Sequence, residues 1–452
     1  MILKFGLKYS TIPALFLMVL MLLGCGSHKT LRGVFKNETP YERYATSLKA
    51  ASLDQTALGQ EWLKAGTSAL RDSITITLPF KETGYFAADK PRALAYRLQA
   101  QHGERLVIDL ELRTKEPATV FMDLFEAPAQ RSESPRHVAS ADTTSVRLVY
   151  EVNDDKPHIL RLQPELLRSA QYTVTIQVQP TLAFPVPGKS SRNISSIWGD
   201  PRDAGARRHE GVDIFAPRGT PVVAAVDGVV TRVGTTPRGG NVVWLSDAKR
   251  RQNLYYAHLD KHLVSPGQRV TTGDTLGLIG NTGNAISTAP HLHFGIYRSG
   301  KGATNPYPYL HQPTQAAPRV QVDANNIGAW VRVSARQANI RLQPTTKTGV
   351  FATLPLHAPM QVTGATGNWY RVELPNGAPG YIASSLVEAT TKPVRHKKLT
   401  GQYGLLDEPH PHAAPKDSLA AGTQLAVLAA YKDFELVQKP DGETGWLYLP
   451  VN

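Results

Sequence analysis

Apolar and polar positions change rhythm several times along the chain, and each change marks a different kind of element. Met1 to Leu23 opens with Lys4 and Lys8 and closes on an apolar run, Ile12 to Leu23. That run is shorter than the ~20 residues that span a bilayer, so it predicts a secretory leader rather than a membrane span. Residues 26 to about 40 are polar and basic, like a tether. From Tyr41 to about Leu70, Tyr44, Leu48, Leu58 and Trp62 fall at loosely helical spacing. Arg71 to Pro79 then alternates, Ile74, Ile76 and Leu78 against Ser73, Thr75 and Thr77, which predicts a half-buried strand.

Short strand-like runs follow at Leu94–Leu98, Leu106–Leu112, Val120–Phe125, Val146–Val152, His158–Leu162 and Tyr172–Val178. Their spacing predicts an antiparallel sandwich of roughly a hundred residues. It shows no catalytic constellation: His102, His137 and His158 are scattered and read as surface or half-buried residues. It reads as a spacer, a docking module, or a binder of glycan or protein. Pro180 to Pro187 is a linker stiffened by proline. A segment dense in glycine turns and valine-rich strands follows and ends near Pro313, and Gln312 to Arg319 makes a second linker. The last third holds an internal repeat, opened by Ile340–Pro344 and again by Leu405–Pro409. Each unit continues through an apolar strand (Gln361-Val362; Leu425–Val427) and an aromatic one (Asn368–Val372; Phe434–Val437). Each closes on Gly380-Tyr381-Ile382 or Gly445-Trp446-Leu447. Trp369 is expected in the core of the first unit.

A chain of 452 residues is too long for one core, and 41% apolar residues suit several globular domains. The formal charge of +13, from 50 basic and 37 acidic residues, favours polyanionic surroundings. Nucleic acid, anionic wall polymer and phospholipid headgroups all qualify; the leader favours the wall and argues against nucleic acid. Cys25 is the only cysteine, and a free thiol in an oxidising envelope would be odd. Leu22-Leu23-Gly24-Cys25 resembles the bacterial lipobox, which implies cleavage before Cys25 and lipid on its sulfur and new amino terminus. Several acyl chains anchor stably where one binds marginally. Gly26 stands where an inner-membrane retention signal places Asp, so the expected site in a Gram-negative host is the outer membrane, facing the periplasm.

Two runs concentrate the chemistry: His209-Glu210-Gly211-Val212-Asp213 and His291-Leu292-His293. In extended chain, residues an even number apart share a face, so His209 pairs with Asp213 and His291 with His293. Two imidazoles and a carboxylate from neighbouring strands are the three-ligand set of a catalytic zinc, which keeps a fourth position for water. His258 follows another β-prone run, Tyr255-Tyr256-Ala257. The rival helical pattern His-Glu-x-x-His, with Glu210 as base, fails because Gly211 and Val212 are poor helix formers and the fifth residue is Asp. Glu210 reads as a solvated side chain at the cleft edge, and His262 as exposed beyond an Asp260-Lys261 turn. His410-Pro411-His412, in a proline-rich loop without a partner, reads as incidental.

From about Ser195 to Pro306 these residues resemble the lysostaphin-type zinc metallopeptidases, which cut peptidoglycan cross-bridges. The likeness runs through Ala216-Pro217-Arg218-Gly219-Thr220-Pro221-Val222, Asp227-Gly228-Val229-Val230, Gly239-Gly240-Asn241 and Tyr256-Ala257-His258-Leu259. It continues through Gly267–Val270, Gly273–Gly277 and Gly280–Gly283 to His291-Leu292-His293-Phe294. The resemblance implies His209, Asp213 and His293 as Zn2+ ligands, with His258 and His291 as the catalytic pair that handles the water proton and the oxyanion. Arg207, Arg208, Arg218 and Arg238 are candidates for stem-peptide carboxylates. Gly295 departs from the family, which usually carries Glu there. The repeat units resemble bacterial Src-homology-3-like modules, well in the first and degenerately in the second.

The expected fold is therefore mainly β and multidomain. Its parts are a lipoprotein signal peptide (1–24), a tether and helical segment (25–70), a β-sandwich (71–180), a zinc metallopeptidase domain (181–313) and barrels at 325–390 and 398–452. The expected function is a zinc endopeptidase of peptidoglycan cross-links, held to a membrane through Cys25, with protein partners met through the sandwich and barrels. The alternative is a non-catalytic envelope scaffold that binds peptidoglycan and activates another hydrolase; relatives of that kind have lost ligands, and none is missing here. A lipoyl-like carrier would leave the histidines unexplained.

Overall fold

The computed structural model describes residues 38–450 apart from 131, 144 and 145. The expected leader, Cys25 and most of the tether lie outside the described residues. Among the described residues no helix is long and apolar enough to cross a membrane. The first element is the helix Pro40–Ala50, started by Thr39, whose hydroxyl accepts from the Glu42 amide while the Glu42 carboxylate accepts from the Thr39 amide. With the helix Ala57–Arg71 it covers the outer face of a five-stranded sheet. Trp62 is buried there among Leu48 and Phe121, and its indole donates to the Pro164 carbonyl at 2.8 Å. This cover explains why all seven residues of the strand Val120–Glu126 are buried, in place of an alternating pattern.

Two sheets make the sandwich. One runs in the order Ile74–Thr75, Leu94–Gln99, Pro157–Pro164, Val120–Glu126, Arg136–Ser140, its first pair parallel. The other contains Phe80–Phe86, Ala170–Pro180, Glu104–Arg113 and Arg147–Glu151. The expected strand over Arg71–Pro79 shrinks to two residues, because the chain turns at Pro79 and the next pairing begins at Phe80. His158 is buried, not half-exposed, between Tyr150 and the sandwich interior.

The second sheet does not stop at the sandwich. Phe80–Phe86 pairs antiparallel with Pro359–Thr366 of the first barrel, Thr83 opposite Ala365 and Gly84 opposite Gly364. Glycine is needed at this crossing: a Cβ on Gly84 would lie 2.4 Å from the Tyr172 hydroxyl and one on Gly364 2.8 Å from Arg371 Nη2. Glu82, fully buried beside the crossing, accepts from Tyr96 (2.7 Å), Tyr172 (3.1 Å), Tyr381 (3.1 Å) and Arg371 Nε (3.0 Å).

Residues 180–187 are no free linker. Leu182 and Val186 are buried in the same core as Val212, Leu254, Phe294 and Leu310, so this stretch is part of the domain it precedes. That domain is a ten-stranded sheet whose central order is Val212–Phe215, His291–Arg298, Gln252–His262, Gly240–Asp247, Gly228–Thr236. Two barrels follow with separate cores, one around Val331, Ile340, Val362 and Ile382, the other around Leu405, Val427 and Leu447. In the first barrel Tyr370 and Val372 point inward; Trp369, one residue out of phase, stays half-buried outside the core.

Candidate metal centre

Strand register brings the site together. Val212–Phe215 pairs antiparallel with His291–Arg298 so that Asp213 lies opposite His293 and Phe215 opposite His291. On the other side His293 lies opposite Ala257, one residue before His258. His258 has φ +62, where the strand register shifts, and its amide donates to the Gly239 carbonyl at 2.7 Å. This kink turns the ring toward His291, at 5.0 Å between centroids. The strand then continues to His262, so the expected turn at Asp260-Lys261 is absent and His262 is half-buried.

His209 Nε2, His293 Nδ1 and Asp213 Oδ1 form a nearly equilateral triangle. The separations are 3.0 Å between the imidazole nitrogens, 3.1 Å from His209 to Asp213 and 3.0 Å from His293 to Asp213. A tetrahedral zinc with bonds of about 2.0–2.1 Å sets its ligand atoms roughly 3.3 Å apart, so the donor set fits that ion. Among the described residues these three are the group of metal-ligating side chains with donor atoms close enough to share one ion. Gly211 belongs to the same construction: a Cβ there would lie 2.6 Å from His293 Cε1 and 2.6 Å from the Phe294 carbonyl.

Backbone carbonyls set the tautomers. His209 Nδ1 donates to Ile197, His258 Nδ1 to Thr282 and His291 Nδ1 to Ala289, each at 2.9 Å. Each ring therefore keeps its Nε2 lone pair for the cleft, and His291 Nε2 stands 4.0 Å from Asp213 Oδ1. Burial, opposed by hydrogen bonds and charge from His209 and His293, leaves the Asp213 carboxyl well below the usual carboxylate range. Burial, then the His293 and His291 rings, lowers His258 to about 4, so it is neutral near pH 7. Burial also lowers His293.

The surrounding cleft encloses about 610 Å³. All five predicted site residues line it, as do Glu210, exposed at the edge as expected, Arg207 and Arg238. Arg218 is engaged elsewhere, with Asp260 and Asn281, and Arg208 is not part of the lining. Two contributions escaped the sequence reading. Arg202 Nη2 donates to Asp213 Oδ2 at 2.6 Å and to Ser196 at 2.7 Å, holding the carboxylate oxygen that the triangle leaves over. Trp244, Tyr255 and Tyr297 build an aromatic wall, and a side chain at Gly295 would press on Tyr297 at 3.2 Å. No spacing rule announces an arginine eleven positions before its carboxylate.

Comparison with known proteins agrees with this geometry. Residues 207–306 match the profile described as Peptidase family M23, and residues 336–388 that described as Bacterial SH3 domain. The L-Ala--D-Glu endopeptidase of Bacillus subtilis is 38% identical over 140 residues, 28% of this chain and 42% of its own length. The peptidoglycan DD-endopeptidase ShyC of Vibrio cholerae is 41% identical over 97 residues, 21% of each chain. The glycyl-glycine endopeptidase ALE-1 of Staphylococcus capitis is 42% identical over 106 residues, 23% of this chain and 29% of its own. The chain thus spans less than half the length of each of these relatives. The cleft lies within the stretch that matches the Peptidase family M23 profile, residues 207–306, and the stretch that matches the Bacterial SH3 domain profile, 336–388, follows it.

Proposed function

We propose that this chain is a zinc-dependent endopeptidase hydrolysing the peptide cross-links of bacterial peptidoglycan in wall remodelling, growth or division. The carrying observation is the triangle of donor atoms on His209, Asp213 and His293, facing the Nε2 atoms of two further histidines. A zinc ion held by the three supplies Lewis-acid polarisation of an amide carbonyl and brings the pKa of a water toward neutrality. His258 and His291 divide the remaining work. A neutral Nε2 accepts the proton released as oxygen attacks the amide carbon, and the imidazolium so formed returns it to the leaving nitrogen. The second ring hydrogen-bonds the developing oxyanion only as an imidazolium, protonated at Nε2, because its Nδ1–H is already spent on a backbone carbonyl. Arg202 keeps the Asp213 carboxylate oriented throughout.

The relatives' names span three different bonds, and the masses of the released fragments identify the one cut by this chain. The envelope location rests on the leader pattern and the lipobox-like Leu22–Cys25: the protein is a lipoprotein anchored through Cys25, on the outer membrane in a Gram-negative host. Cys25→Ser should release it from membranes, and unchanged fractionation would refute the anchor. For the activity, purified sacculi are digested with zinc and with chelator, and the fragments identified by mass. Cut cross-links with zinc alone support the reading; chelator-insensitive cleavage, or none with zinc, removes it.

A further inference from the structure

We infer that the seam between the sandwich and the first barrel is a binding site for a neutral N-acetylated sugar of the wall glycan. The inference extends the wall reading above but needs no catalysis. Its starting point is Trp369. The sequence pattern calls for this ring in the barrel core, yet Tyr370 takes that place and Trp369 lies outside, half-buried. It faces a cavity of about 360 Å³, within the usual range of ~300–1,000 Å³ for small-molecule sites. The cavity is composite: Thr75, Thr77 and Phe80 come from the sandwich, Gln343, Asn368 and Trp369 from the barrel.

The chemistry of the lining selects the ligand. Among the described residues no ionisable side chain borders the cavity, in a chain whose formal charge is +13. Three other cavities differ: the metal cleft has Arg202 and Glu210, the sandwich–peptidase cavity has Asp154 and Arg298, and the groove between the barrels has Glu373 and Lys90. A charged ligand entering the seam would lose hydration with no counter-charge to replace it. What the seam offers is an indole beside the Phe80 and proline surfaces, ringed by hydroxyls and carboxamides. A pyranose matches both parts: its C–H face lies on the aromatic ring, while hydroxyl and acetamido groups meet Thr, Asn and Gln. The pairing of Phe80–Phe86 with Pro359–Thr366 fixes the two walls relative to each other, so the site is preformed.

The test is titration of the full chain, in chelator so that nothing is hydrolysed, with a soluble tetramer of β-1,4-linked N-acetylglucosamine. Saturable binding by calorimetry is expected. Trp369→Ala should weaken it about tenfold, Trp369→Phe less, with thermal midpoints unchanged because the ring is outside the core. Failure of the tetramer to saturate, equal binding by Trp369→Ala, or tighter binding of a glycine pentapeptide would each overturn the inference. Cleavage of a sugar-free cross-linked peptide in zinc is read separately. Loss of that activity with sugar binding intact would strike the peptidase reading and leave the sugar site standing.

Discussion

The metal cleft and the Glu82–Arg371 seam both bury charge, but they are assembled differently and finished differently. In the cleft Asp213 and His293 stand opposite each other on paired strands by register alone, and His209 comes from the short stretch just before Val212–Phe215. The seam gathers residues 82, 96, 172, 371 and 381 from two domains. At the seam every group is spent on another: Glu82 takes three tyrosine hydroxyls and a guanidinium, and burial with the Glu82 charge holds Tyr96 and Tyr381 well above the ordinary phenol range. In the cleft, three carbonyls fix protons on the outer ring nitrogens and leave the inner ones to the cleft. A saturated buried network stabilises a join; a convergent one prepares a binding site.

The comparison breaks most sharply at the cleft. His209→Ala or Asp213→Ala should abolish stoichiometric zinc and cut turnover by ~10³-fold or more, since the metal supplies both activation and polarisation. His291→Ala, outside the ligand triangle, should keep much of the zinc yet lose most turnover. Metal analysis beside kinetics separates the two classes; full zinc in both ligand variants would sink the assignment.

At the seam the largest effect is on stability. Arg371→Met leaves Glu82 charged and buried without its cation, which costs about 3–5 kcal/mol when one member of a buried pair is removed. Removing both charges, with Glu82→Gln added, should recover most of that loss in denaturant unfolding. Zinc content of the purified variant should be unchanged, because the seam touches none of the ligands. If Arg371→Met unfolds at the wild-type midpoint, the join is ornamental.

The cleft was far more legible in the sequence than the seam, for physical reasons. The period of a strand projects His291 and His293 to one side whatever surrounds them, and Gly211 is required because His293 fills the space where its side chain would go. The sandwich strands and the repeat were legible through alternation and turns in the same way. Nothing local marks Glu82 or Arg371, since their burial exists only after two domains pair through Phe80–Phe86. That strand was itself missed: Phe-Lys-Glu-Thr-Gly-Tyr-Phe alternates, but around a glutamate that points inward. Trp369 was misplaced by a single residue of phase, which in a strand reverses the face. Residues 180–187 read as a linker because proline is conspicuous, while Leu182 and Val186 do the packing.

A pH experiment sharpens the electrostatic half of the comparison with a more modest effect. His258 in the folded protein titrates at about 4, against an ordinary value near 6.5. Between those values the unfolded chain binds a proton that the folded one refuses, so metal-free stability falls as pH drops from about 6.5 to 4. His293 is lowered too and adds in the same direction. Asp213 titrates below this window, so it does not mask the effect. Urea midpoints at pH 7 and pH 5, in chelator, should fall less in His258→Gln than in the wild type. Equal falls would mean that the ring is not held neutral.

The smallest effect belongs to a third boundary, between sandwich and peptidase domain, where the charges are wet. Glu151 meets Lys249 at 3.2 Å and Arg250 at 3.0 Å, but the Lys249 side chain is 74% exposed and the Arg250 side chain 13%. An exposed ion pair gives back in side-chain entropy and screening most of what it gains, so Lys249→Ala should cost no more than about 0.5 kcal/mol. Arg250 also holds Asp247, itself buried, and the Thr181 carbonyl. Its removal leaves a buried carboxylate short of a partner and should cost about 1–3 kcal/mol. The two arms on one glutamate therefore contrast an exposed cation that meets Glu151 with a buried one that also ties Asp247 and Thr181. If Lys249→Ala proves as costly as Arg250→Ala in denaturant midpoints, proximity rather than burial governs these joins, and the contrast between seam and surface loses its basis.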